Sequence, residues 1–473
     1  MKIIFWMTIL LCYSFSVTAQ NWEQLGKGTN DAVREIFADT LDSLLYIGGN
    51  FKYIGNPYIS EDTLAVNGIT KWTKTEYLPL ATGQDYCINV CDPILSIFRF
   101  QDEIYCNASV KSFSGVEVKG IAKWNGSNWH PVGEGLSDSF GGNGNTYSQI
   151  IYQEDLVVGG GFTRVGTDTV YGIARWDGVN WHSMNFPAVP SFFPFISAMA
   201  IYNDELYVAG NFQALINGGV TSDVAKFDGT QWHEVGGGLK GGWSFAEDLI
   251  MFKNELYLCG YFWKSDGNAG NMIMKLQNDQ WADVAGGVSN QLHDMVIFND
   301  ELYVAGGFEY AGDGVPANNI AKWTGEKWCG LGSVFDNRIL CVEVFNNDLY
   351  IGGGFTLIDG DTVNYIAKWI GGDYVDTCGM PVATLSQPER PTALSLSPNP
   401  THNQLQLVFD LDGSNRAAKI RVLDVLGKEL EVNTFGHPGD SFVTLDLREL
   451  PAGVYFITVQ GGNVLLSQKV IKQ

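Results

Sequence analysis

One short element returns seven times in this chain, and its spacing constrains the fold more than any other feature. It closes on Trp72, Trp124, Trp176, Phe227, Leu276, Trp323 and Trp369, at intervals of 52, 52, 51, 49, 47 and 46 residues. In the two clearest copies it reads Asn319-Ile-Ala-Lys-Trp323 and Tyr365-Ile-Ala-Lys-Trp369. Each follows an apolar hairpin ending in glycines, Val296–Phe308 and Val344–Phe355. A period near 50 residues marks a repeat architecture whose units bury their apolar faces by stacking on neighbours.

Within a copy, period-2 alternation marks four short strands. Ala198-Met-Ala-Ile-Tyr meets a tight Asn203-Asp204 turn, whose residues tolerate positive φ. Leu206-Tyr-Val-Ala-Gly follows and ends in Gly, where backbones must approach closely. After a longer loop come Val224-Ala-Lys-Phe227, an Asp228-Gly229 hairpin and Trp232 on a fourth strand. The expected fold class is all-β, a seven-bladed β-propeller over residues 20–378. A β-helix fits less well, because its coils are shorter and need no paired hairpins. Trp22-Glu-Gln-Leu-Gly reads as a fourth strand that arrives before any first strand. It can complete the last blade, removing an exposed edge, with Tyr374–Cys378 as the competing segment. The 56 glycines, with no Gly-X-Y period, agree with many turns.

These units resemble kelch-type propeller repeats and the central domain of galactose oxidase, in which a strand ends in a Gly pair and two spaced aromatics follow. The resemblance implies the propeller fold, which in that family serves protein binding, glycan binding and a few copper oxidases. The Tyr, His and Cys copper set of those oxidases has no residue-by-residue match here.

Residues 1–19 read as a secretory signal peptide: Lys2, an apolar run to Val17, and small residues before Gln20. Seven cysteines remain after it, an odd number. Cys87 with Cys91 and Cys329 with Cys378 are candidate pairs, and buried thiols are the alternative. The stretch 379–393 holds three prolines and no periodicity, which predicts a linker. Short alternating strands then run through 394–473, predicting a small immunoglobulin-like β-sandwich.

That last segment resembles the type A C-terminal sorting domain of type IX secretion cargo. The matching residues are Pro398-Asn399-Pro400, Val422-Leu-Asp-Val-Leu-Gly427-Lys428, Leu450-Pro-Ala-Gly453-Val-Tyr455, and a tail with Lys469 and Lys472. The resemblance implies export through an outer-membrane translocon that reads residues 394–473, with a sortase-like protease as second partner. It further implies a bacterium of the Bacteroidota and a secreted or surface-attached product.

Charge assigns different duties to the two parts. The chain carries 52 acids against 29 bases, net −23, while 394–473 holds eight acids and seven bases. So acidic a surface argues against nucleic acid as a partner. It would draw Ca²⁺ at most, and no motif for a metal or cofactor appears. No segment has the length of a membrane span. His130, His182 and His233 each follow a fourth-strand Trp, which places them in different blades; His293 stands alone. Acids in the Asn-Asp-Glu-Leu turns read as repeat punctuation. Nucleophile-elbow, zinc-protease and phosphate-loop motifs are missing, so no catalytic residue is assigned. The long loops at 136–147, 185–195 and 239–245 lie on one face and carry rings. They make Tyr147, Phe192, Phe193 and Trp243 the candidate contacts for a protein or glycan. An extracellular polysaccharide lyase or hydrolase, or a structural surface component, is the alternative.

Overall fold

The computed structural model describes residues 22–55, 62–85, 92–108, 112–189, 194–241 and 244–370 of the repeat region. In the C-terminal part it describes 394–397, 401, 404–409, 419–423, 428–430, 432–435, 442–448, 450–461 and 464–472. The chain divides into two compact units, Met1–Gly379 and Met380–Gln473. The described residues are nearly all β: they contain no α-helix, only a single 3-10 turn at Lys264–Asp266.

The first unit contains, among its described residues, seven four-stranded antiparallel sheets. The fourth sheet shows the plan: Phe195–Tyr202, Glu205–Ile216, Gly219–Phe227 and Trp232–Glu234, adjacent in that order. Asn203 and Asp204 join its first two strands at φ 51° and 64°, and Asn299-Asp300 and Asn346-Asn347 repeat the turn two and three sheets later. Such turns match the right-handed twist of the strands they join. The first strand of each sheet packs on the first strand of the next. The strand Ile339–Phe345 of the seventh packs on Val33–Asp39 of the first, so the first strands close a ring.

The glycines ending the second strands now have a steric reason. A Cβ on Gly49, Gly160, Gly210, Gly260, Gly306 or Gly353 would fall 2.0–2.4 Å from a backbone carbonyl at the start of the neighbouring first strand. No side chain fits that approach.

Two further devices repeat. The acid opening the second strand pairs with the Lys or Arg of the third: Glu103–Lys123 at 2.6 Å, Glu205–Lys226 at 2.8 Å, Glu301–Lys322 at 2.7 Å. These pairs are half-buried, and each contributes only tenths of a kcal/mol to about 1 kcal/mol. Meanwhile the fourth-strand Trp indole donates to a carbonyl of the preceding sheet, as in Trp129 to Leu80, Trp181 to Val132, Trp232 to Met184 and Trp328 to Val284, at 2.9–3.1 Å. In the first sheet the Tyr77 hydroxyl does the same to Leu25 at 2.7 Å.

The ring is closed from both ends of the repeat region. Trp22, Glu23 and Gln24 pair with Trp369, Lys368 and Ala367, supplying the fourth strand of the seventh sheet. Trp22 is fully buried, edge-on to Trp369 at 4.9 Å, and donates to the Ser333 hydroxyl at 3.1 Å. The competing segment 374–378 lies outside the described residues. Cys106, Cys259 and Cys341 are buried free thiols, whereas Cys329 is disulfide-bonded; Cys87, Cys91 and Cys378 also lie outside the description.

Among its described residues, the second unit has two four-stranded antiparallel sheets over one core. Leu405, Leu407, Val443 and Leu445 come from one sheet, and Val422, Ile457, Val459 and Val470 from the other.

Candidate functional site

A cavity of about 950 Å³ runs along the ring of first strands. Six of those strands carry a β-bulge near their start. The residues at the shifts are Arg34, Tyr147, Ser197, Glu247, His293 and Leu340. All six line the cavity. A bulge adds one residue and re-aims side chains at a strand end, as befits the rim of a closed structure.

Just past the bulges the wall turns acidic over one arc. Asp248 accepts the Leu249 amide at 2.7 Å and, from the next sheet, the Met295 amide at 3.1 Å. Asp294 repeats this with Met295 at 2.8 Å and Val342 at 2.7 Å. Glu343 takes Val344 at 2.7 Å and reaches Ala38 of the first sheet at 3.4 Å. Glu35 accepts from the Ile97 backbone. First strands have no partner strand on their inner edge, so their amides need another acceptor. Four consecutive junctions use a carboxylate from the preceding sheet. Elsewhere hydroxyls bridge first strands: the Ser197 hydroxyl donates to Ala246 O at 2.6 Å, and Ser96 meets Thr146 Oγ1 at 3.3 Å.

Enclosure perturbs these acids, although part of each side chain still faces the cavity. Burial pushes Glu343 up to about 7 and Asp248 up to about 6. Glu35 rises well above the carboxylate range, through burial and then repulsion by Glu343. Asp294 does so through burial and then Asp248. Burial likewise raises the Cys259 and Cys341 thiols, with nearby carboxylates adding to it, which leaves them poor nucleophiles. Both oxygens of Asp248, Asp294 and Glu343 already accept backbone amides. These acids hold the ring together and have little left to offer a substrate.

The remaining polar wall is more available. His293 Nδ1 lies 3.7 Å from Glu247 Oε1, which Gln291 Nε2 also engages at 2.9 Å. His293 Nε2 is buried with no partner. Tyr147 meets Phe195 edge-on at 5.9 Å, both half-exposed at the end where the first strands begin. At the same end, Asp31, Arg34, Asn337 and Arg338 line the cavity.

Of the ring residues expected from the sequence, the structure places Tyr147 on this wall. Phe192, Phe193 and Trp243 lie outside the described residues. His182 and His233 bond Asp177 and Asp228, each at 2.7 Å, and His130 meets Asn125 at 2.9 Å. None of these three histidines lines the cavity. Sequence reasoning missed the carboxylate arc and left His293 aside. The available signal was a polar residue five positions before the turn, as with Asp248 before Lys253 and Asp294 before Asn299. Among the described residues, no group of three or more His, Cys, Asp or Glu forms a metal site.

In the second unit the Tyr455 hydroxyl donates to Pro451 O at 2.8 Å, which ties the Leu450–Tyr455 motif into a corner. Gly453 pairs with Lys472 and Phe456 with Lys469 along the last two strands. Pro398, Asn399, Pro400 and Gly427 lie outside the described residues.

Residues 395–473 match the family of secretion system C-terminal sorting domains. Among solved structures, the chain is similar to the crystal structure of the Niastella koreensis GH74 enzyme, at 12% identity and a TM-score of 0.36, over 96% of this chain and 74% of that one. No curated protein matches the sequence. The sorting tail implies export through the type IX machinery and a secreted or cell-surface fate. No described helix is long and apolar enough to cross a membrane.

Proposed function

We propose that residues 20–378 form a seven-bladed kelch-like β-propeller and 394–473 an immunoglobulin-like sandwich, joined by the linker 379–393. On this reading, the signal peptide 1–19 carries the chain across the inner membrane. The sorting domain then engages the translocon and a sortase-like protease through Pro398, Asn399, Pro400, Gly427, Gly453, Tyr455, Lys469 and Lys472. Outside the cell the protein works as a binding module for a protein or glycan, and needs no cofactor. One observation carries the binding reading. The acids deep in the cavity are committed to backbone amides, while its mouth keeps half-exposed rings and uncommitted polar groups.

The test is capture from cell-surface extracts and on a glycan array with the full-length protein. A variant with Tyr147, Phe192, Phe193 and Trp243 changed to Ala serves as comparison. Specific capture lost in the variant supports the module and its site; capture unchanged removes the site. The Glu247–His293 approach favours a second reading, a polysaccharide-active enzyme. Turnover of a polysaccharide abolished by Glu247→Gln would establish it.

A further inference from the structure

The mouth of the cavity has two unlike sides. Tyr147 and Phe195, from the third and fourth sheets, stand on one with their rings partly open. On the other, the seventh and first sheets bring Asp31, Arg34, Asn337 and Arg338 to the wall. Their hydrogen-bonding capacity is largely unspent. Asp31 uses Oδ1 on the Ala32 amide, Arg34 uses only Nε, on Asn50, and Asn337 uses Oδ1 on the Arg338 amide. Neither arginine has a carboxylate within ion-pair distance among the described residues. Arg338 is exposed, and among the described residues no side chain holds its guanidinium.

We propose that this mouth binds a neutral polysaccharide, one sugar ring stacking on the face of Tyr147 or Phe195 while Asp31, Arg34, Asn337 and Arg338 hydrogen-bond hydroxyls of other rings of the same chain. The proposal rests on the binding-module reading above and names its ligand class. Sugar rings present C–H faces that pack on aromatic faces. Their neighbouring hydroxyls are met in pairs by planar carboxylate, amide and guanidinium groups. Charge selects among polymers. An acidic chain entering the cavity would leave Arg34 and Arg338 behind at the mouth and meet no further Lys or Arg on the described wall to balance its charge. A cationic chain would have to pass Arg34 and Arg338 at the mouth. A neutral chain meets neither obstacle, and the cavity volume lies within the range of small-ligand sites.

Affinity electrophoresis of the full-length protein in gels containing xyloglucan, galactomannan or mixed-linkage β-glucan, with alginate as the anionic comparison, tests this. The expected result is retardation by at least one neutral polymer, unchanged between low and high salt. It should weaken about tenfold or more in Tyr147→Ala/Phe195→Ala and, separately, in Arg34→Ala/Arg338→Ala. The arginine pair is exposed, so that variant stays folded even if loss of the rings perturbs packing. Retardation by no neutral polymer, by alginate alone with loss at high salt, or equally in wild type and both variants would overturn the proposal. Capture of a surface protein, abolished by Tyr147→Ala without any polysaccharide binding, would overturn it while leaving the module intact. Absence of all capture would sink both.

Discussion

Glu343 offers the cleanest test of the idea that cavity acids are structural ties. Its repulsion with Glu35 is felt on Glu35, and burial is what raises Glu343 itself. Its folded value of about 7 exceeds the ordinary 4.5, so the folded protein favours the protonated acid. That contribution to stability is fully present below about pH 4.5 and is lost as pH rises through about 7. The shift corresponds to about 3 kcal/mol. Because the side chain is part-exposed to the cavity, about 2 kcal/mol is the better expectation. In Glu343→Gln the amide oxygen can keep the 2.7 Å bond to Val344, while the longer 3.4 Å bond to Ala38 is lost, at about 1 kcal/mol. Relief of the repulsion on Glu35 acts in the same direction as the removed titration. Urea unfolding from pH 5 to pH 8 should therefore show the variant losing about 2 kcal/mol less than wild type over that interval. Parallel pH profiles for the two proteins would refute the reasoning, whatever their absolute stabilities.

Three shorter expectations accompany it. Trp22→Ala should destabilise the first unit by about 3–5 kcal/mol, because it empties a fully buried site and unties Ser333; a shift in urea unfolding below about 1 kcal/mol would mean the N-terminal strand does not close the ring. Tyr455→Phe should cost the second unit about 1 kcal/mol by orphaning Pro451 O, read as faster limited proteolysis after residue 380. Deleting 395–473 should trap the chain inside the cell envelope, and its appearance in the medium on fractionation would contradict the role of the tail.

What was legible in the sequence is what repeats. Each copy places its Asn-Asp turn, its glycines and its closing Trp at a fixed offset, so their spacing is visible by inspection. Even ring closure by Trp22 could be read, because Trp22-Glu-Gln-Leu-Gly has the form of a fourth strand out of place. The acids after the turns were visible too, but not their purpose: Glu205 and Glu301 needed the third-strand lysines to make sense. The cavity wall was harder, since it assembles a few residues from each of the first strands, about 50 residues apart in the chain. Glu35, Ser148, Asp248, Asp294 and Cys341 share a register, yet it is held by four different residue types. Their identity follows from what each junction needs, and the bulge that aims Tyr147 and His293 inward leaves no local signature.

Why carboxylates, if the task is only to cap amides? A hydroxyl or amide oxygen would do so without a charge to desolvate. But one carboxylate can accept the amide of its own strand and that of the next sheet together, as Asp248 and Asp294 both do. The two bonds fix the angle between adjacent sheets as well as their contact. The raised proton affinity of the group is the cost of that geometry, and it is tolerable because a proton can relieve it. A group so used is badly placed for catalysis, since loading it with substrate would untie two sheets. On the proposed binding reading, recognition belongs where the strands begin, at Tyr147, Phe195, Arg34 and Arg338, whose commitments to the fold are few.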